Sequence, residues 1–245
     1  MVLPIVETPT YELTLPSQDI KVQFRPFLVK EEKILLIALE SSNDNEIVNA
    51  TKQILNACTF EKLDINSLPL FDIEYIFLQI RAKSIGEIAK FRILCPDDKK
   101  TLVNVELDLT KVEVNVDDDH VNKILLDDKK QLGVILKYPT LDITKAGYNM
   151  STENMESIFK IIGSCIECVF EGEKIYPAKD STQQELQEFL ESLSQQAFEK
   201  IKKFFDTMPQ LRHEIEIENP NTKVKSKVVL QGLRDFFQSA SPIIA

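Results

Sequence analysis

The stretch Gln23-Phe24-Arg25-Pro26-Phe27-Leu28-Val29-Lys30-Glu31-Glu32-Lys33-Ile34-Leu35-Leu36-Ile37-Ala38-Leu39-Glu40-Ser41 reads as the end of a β-strand running into an amphipathic helix. Leu28, Ile34, Leu35, Ala38 and Leu39 carry the apolar stripe, with Lys30, Glu32 and Lys33 outside it. Glu31 falls on the line from Leu28 to Leu35 and interrupts it. Pro26 suits a first helical position, where its missing N–H costs nothing. The stretch carries no visible catalytic chemistry.

Upstream, Tyr11–Leu15 and Ile20–Phe24 alternate around the turn Pro16-Ser17-Gln18-Asp19, which predicts a β-hairpin. Downstream, Ser41–Asn45 ends the helix and caps a second one over 46–57, with Ile47, Ala50, Ile54 and Leu55 on one side. A third helix over 71–84 carries Phe71, Ile73, Tyr75, Ile76, Phe77, Leu78 and Ile80. A helix apolar on most of its circumference is a buried one, so this helix is expected at the centre of the N-terminal part.

Beyond it the period changes to two. Strands are expected over 88–94 and 102–109, around the polar turn Cys95–Lys100, and at Val112, Val114 and Val116. Two more, over 121–126 and 132–137, flank Asp127–Lys130 and complete a mostly antiparallel central sheet. After an irregular stretch over 138–150, Ser151 or Thr152 caps a helix with Met155, Ile158, Phe159, Ile162, Cys165 and Ile166 on its apolar side. A short extended piece over 170–176 bends at Gly172. Ser181–Glu185 resembles a capping box, and the stripe of Leu186, Phe189, Leu190 and Leu193 follows. Ser194 interrupts it before Ala197, Ile201, Phe204 and Phe205, and Pro209 stops it. A last hairpin turns at Asn219-Pro220-Asn221-Thr222. The class is α+β, with helical segments alternating with antiparallel hairpins. Its expected division is 1–137 (hairpin, three helices, sheet) and 138–245 (helices, hairpin, tail), which one continuous domain would also accommodate.

Composition narrows the function. With 43% hydrophobic and 28% charged residues the chain is an ordinary globular one. A net charge of −10 argues against a nucleic-acid protein, which needs a basic face, and against adsorption to an anionic membrane. Met1–Glu7 has no basic segment ahead of an apolar one, so no secretory signal is expected. No apolar run reaches the roughly 18 residues of a spanning helix. The four cysteines are too few and too scattered for a disulfide framework and read as thiols of a reducing cytosol.

Catalytic and metal patterns fare no better. Cys165-Ile166-Glu167-Cys168 lacks the second pair that a zinc site needs, and it stands at the wrong end of a helix for a redox pair. His120 and His213 lie in unrelated segments. Only a deep pocket gathering one of them with carboxylates would make a hydrolase. Asp117-Asp118-Asp119 lacks the glycine and glutamate of a calcium loop, and neither common phosphate-loop motif occurs. No enzyme, cofactor or metal is expected. Two turns echo one another: Cys95-Pro96-Asp97-Asp98 and Asn219-Pro220-Asn221-Thr222. Either any two proline turns look alike, or both descend from a zinc-ribbon knuckle, Cys-Pro-x-Cys, whose ligands are gone. The second case would make the chain a degenerate zinc-ribbon adaptor or regulatory protein. Near the end, Phe236, Phe237, Ile243 and Ile244 either pack beneath the last hairpin or form a docking segment for another protein.

Phe24-Arg25-Pro26-Phe27 with Lys30-Glu31-Glu32-Lys33 and the leucine-rich run after it resembles the N-terminal hallmark of the baseplate hub protein family of T-even-type contractile-tailed bacteriophages. Leu230-Gln231-Gly232-Leu233-Arg234-Asp235-Phe236-Phe237 resembles its C-terminal hallmark. The resemblance implies a non-enzymatic hub component or hub-assembly factor. Its partners would be other baseplate hub proteins, in the host cytoplasm during assembly and in the virion tail baseplate. Relatives carry cysteine-rich hairpins, and Asn219 and Asn221 depart from that pattern. Without the resemblance the residues support only an acidic, mixed α and β protein that binds other proteins.

Overall fold

The computed structural model describes residues 6–41, 43–145 and 155–232. The chain opens on two short alternating strands, β1 (Tyr11–Thr14) and β2 (Lys21–Phe24), paired antiparallel with Leu13 opposite Val22. Their alternation puts Leu13, Val22 and Phe24 inside. The turn between them is tied down by Asp72, whose carboxylate accepts the Ser17 N–H at 3.1 Å and also the Ser17 hydroxyl.

Helix α1 (Val29–Ser41) begins beyond Pro26, so the proline lies in an extended lead-in and not at a first helical position. The apolar line is also displaced: Leu28 is 38% exposed, while Glu31, with Leu35 and Ala38, is buried. Helix α2 (Asp44–Cys58) is capped by the Asn43 side chain, which accepts the Asn45 N–H at 3.0 Å. Helix α3 (Leu70–Ile85) has Pro69 at its N-cap and no side-chain cap. Burial holds it instead. Ile73, Ile76 and Ile80 are fully inside, and each such side chain contributes about 1.5–3 kcal/mol.

Strands β3 (Ile88–Leu94) and β4 (Leu102–Asp108) form the expected hairpin, and Ala89, Ile93, Val105 and Leu107 pack with Leu78 and Ala82 of α3. The strand expected at 112–116 shrinks to β5 (Val114–Asn115). The chain then builds a second unit, Val116–Pro209, before returning to the first, which the residues up to Asn115 and from Gln210 onward form together.

The second unit contains β6 (Lys123–Asp127), β7 (Leu132–Leu136), α4 (Leu141–Lys145), α5 (Met155–Cys165), β8 (Ile166–Glu171), β9 (Lys174–Pro177), α6 (Gln183–Glu191) and α7 (Gln195–Thr207). Its sheet runs β6-β7-β8-β9, antiparallel throughout. Ile161, Ile162, Leu190, Ile201 and Phe204 of the helices pack with Ile124, Leu126, Val134 and Leu136 of the sheet. A side chain at Gly133 would run into the Phe170 ring and the Ile124 carbonyl. The capping box is real: Thr182 and Glu185 bond reciprocally at the start of α6, and Ser194 caps α7.

Back in the first unit, β10 (Gln210–Glu218) and β11 (Lys225–Gln231) close a sheet in the order β11-β10-β5. The α+β class and the antiparallel pairing are as expected, with the strands distributed over several small sheets. No sheet-level boundary falls at residue 137: β7 bonds to β8 across it, and β5 bonds to β10. Pairing joins strands distant in sequence, and alternation does not name a strand's partner.

Candidate functional site

The quoted stretch turns out to be a structural clamp. Glu31 accepts the Leu28 N–H at 2.7 Å and Arg25 Nη2 at 3.0 Å. Its side chain is only 3% exposed and that of Arg25 12%. Leu28 cannot cap α1 with its own side chain, so Glu31 reaches back and does so, as the acidic half of a capping box does. Burial pushes the Glu31 carboxyl upward, but the bonds from Arg25 and the Leu28 N–H, with the charges of Arg25 and Lys30, bring it below the ordinary value. The Arg25 N–H donates to the Cys58 carbonyl at 2.9 Å, and the Phe27 N–H donates to Ser84 Oγ at 2.9 Å. One short run thereby ties β2 and α1 to the far ends of α2 and α3. The signal was there in the glutamate three residues past an uncapped helix start. Read as periodicity alone, Glu31 is an interruption.

The two echoing turns lie against each other. Asn219 is buried and donates from Nδ2 to both Asp97 oxygens at 3.0 Å, and the Thr222 hydroxyl donates to Asp97 Oδ2 at 2.6 Å. Asn221 Nδ2 reaches Thr101 Oγ1 at 2.9 Å. The likeness extends to the backbone. The Lys99 N–H bonds the Cys95 carbonyl and the Lys223 N–H bonds the Asn219 carbonyl, at 3.0 and 2.8 Å. Both lysines are left-handed, with φ of 51° and 63°. The echo is therefore one of conformation, beyond a shared proline. Amide, hydroxyl and carboxylate groups bridge the turns. Among the described residues no three His, Cys, Asp or Glu side chains are grouped as a metal ion requires.

The remaining candidates separate. Cys165 ends α5, while Cys168 stands in β8, because the strand begins at Ile166 and not at Phe170 as expected. Both thiols are buried and free, and burial pushes Cys165 up to about 11, away from the thiolate a reaction needs. His120 belongs to an aromatic cluster. Its ring lies 4.9 Å from Phe204 and 5.6 Å from Tyr138, and Nδ1 is 2.9 Å from Thr207 Oγ1. His213 is in β10 of the other unit. The expected docking residues Phe236, Phe237, Ile243 and Ile244 lie outside the described residues.

What the second unit does offer is a groove of about 380 Å3 between the β8–β9 hairpin and α6, which sequence reasoning missed. Leu132, Val169, Leu186 and Phe189 line its apolar part, with Tyr176 beside them and Glu171 and Glu185 among the polar lining. Tyr176 and its neighbour Ile175 are 47% and 65% exposed on the edge strand β9. The i, i+3 spacing of Leu186 and Phe189 was visible in the sequence, but that spacing equally describes a covered helix face.

No helix among the described residues is long and apolar enough to cross a membrane. No curated protein and no solved structure matches the chain. The family model described as T4 bacteriophage base plate protein matches residues 8–238, a span that begins ahead of β1 and ends beyond β11 and so takes in both units. The chain belongs to the T4-type bacteriophage baseplate protein family, and is a phage baseplate structural protein.

Proposed function

We propose that this baseplate protein acts non-enzymatically, as a hub component or hub-assembly factor that binds other baseplate hub proteins. It works in the host cytoplasm during assembly and at the tail baseplate of the virion. The observation that carries the reading is the family match over residues 8–238. One feature supports the non-enzymatic part: the thiols are buried with raised pKa values. The mechanism is burial of apolar surface against partner subunits, as protein interfaces achieve with an apolar centre and a polar rim. The net charge of −10 limits self-association of the free protein.

The test is mass spectrometry of purified particles beside co-purification of this protein from infected cells. Presence in particles at fixed stoichiometry makes it a structural hub subunit. Absence from particles with recovery of hub proteins in the co-purification makes it an assembly factor. Association with no tail protein in either sample refutes the reading and brings the zinc-ribbon adaptor forward.

A further inference from the structure

The groove in the second unit combines three properties that a merely uneven surface does not. Its floor is apolar and contributed by three elements: Leu132 from β7, Val169 from β8, and Leu186 with Phe189 from α6. Its polar lining includes two carboxylates, Glu171 and Glu185, and no basic side chain. Glu185 is fixed there, because one of its oxygens accepts the Thr182 N–H at 2.7 Å in the capping box. Tyr176 brings β9 into the groove's lining, and β9 is the outer strand of the sheet among the described residues, with alternate backbone groups facing away from β8.

We infer that this groove docks a segment of a partner protein presenting one large apolar side chain flanked by lysine or arginine. The inference rests on the reading of the protein as a binding component and names the chemistry of what it binds. The apolar floor takes the anchor, as buried anchors supply most interface energy. Both carboxylates are exposed, so they attract a partner's cation as surface charges that salt screens. The partner segment lies extended along β9. In a strand, residues two apart share a face, so cations two positions either side of the anchor reach the rim. A second copy of this chain is the wrong occupant, because it brings like charge to an acidic rim.

The experiment titrates the full-length 15N-labelled protein with the capped peptide Lys-Thr-Phe-Thr-Lys. The controls are Glu-Thr-Phe-Thr-Glu and Lys-Thr-Ser-Thr-Lys. Saturable amide shifts at Glu171, Ile175, Tyr176 and Phe189 are expected with the first peptide. A loss of affinity of at least tenfold is expected with either control and with the exposed charge reversal Glu171→Lys, and binding weakens with salt. Shifts absent at millimolar peptide, centred elsewhere, or equal for the acidic control overturn the inference. Glu171→Lys and Tyr176→Ser, each verified as folded by circular dichroism, are then compared with wild type in co-purification from infected cells. If wild type and both variants bring down hub proteins equally, the groove is not the docking site and the baseplate reading stands. If wild type brings down none and is absent from purified particles, the hub-binding reading fails, and the titration alone decides the groove.

Discussion

Removing the Glu31 carboxylate should destabilise the first unit more than any exposed substitution on α1. The side chain is 3% exposed, its ion-pair partner Arg25 is 12% exposed, and the same carboxylate caps the helix through the Leu28 N–H. Truncating one member of a buried pair leaves the other charge desolvated and unpaired, at about 3–5 kcal/mol. Glu31→Ala falls in that range. Glu31→Gln keeps an oxygen for the Leu28 N–H but turns an NH2 toward Arg25, so it loses the charge and the Arg25 hydrogen bond, at about 1.5–3 kcal/mol. Replacing both partners, Arg25→Met with Glu31→Leu, strands no charge and costs less than Glu31→Ala alone. The double-mutant cycle should give a coupling of at least about 2 kcal/mol.

The assay is urea unfolding at pH 7, with hydrogen exchange at the Leu28 amide as the local probe. The folded Glu31 pKa is depressed, so its contribution is fully present above the unfolded value of about 4.3. It is lost as pH falls through the folded value, and the gap between wild type and Glu31→Gln closes on acidification. Glu31→Ala within about 1 kcal/mol of wild type, with Leu28 still protected, would refute the clamp.

Asn219→Ala removes the bridge to Asp97 and the oxygen that accepts the Asn221 and Thr222 N–H groups. It should cost about 1–3 kcal/mol in urea unfolding, and Asn219→Asp, which sets a carboxylate against Asp97, should cost more than Asn219→Ala. Burial lowers the His120 pKa, against an opposing pull from Asp117. Stability is therefore fully present above the unfolded value of about 6.5 and is lost as pH falls through the folded value. His120→Gln should flatten that part of a stability–pH curve. Gly133→Ala forces a methyl group against the Phe170 ring and the Ile124 carbonyl. It should cost about 1–3 kcal/mol by thermal unfolding, and Phe170→Leu should relieve only the part due to the ring.

The local elements were legible in the sequence. The all-round apolar run of α3, the Thr182–Glu185 capping box, the Ser194 break before α7 and the turns of the hairpins were read correctly. Each depends on side chains within one turn or one hairpin, so the signal and its physical cause occupy the same few residues. The family was legible too, from the stretches at the two ends of its match. Partnership was not. That β5 bonds to β10, that β7 bonds to β8, and that the turns at Asp97 and Asn219 clasp each other follows from packing between segments far apart in the chain. Alternation specifies a buried face and leaves the neighbour open. Glu31 looked like a flaw in a stripe for a different reason: its partners, the Leu28 N–H and Arg25, lie just upstream, and periodicity alone does not read a helix cap. The groove on α6 is a matter of partnership again: sequence shows that Leu186 and Phe189 share a face, and only the tertiary structure leaves the two partly buried, against the core on one side and lining a groove with Tyr176 of β9 on the other.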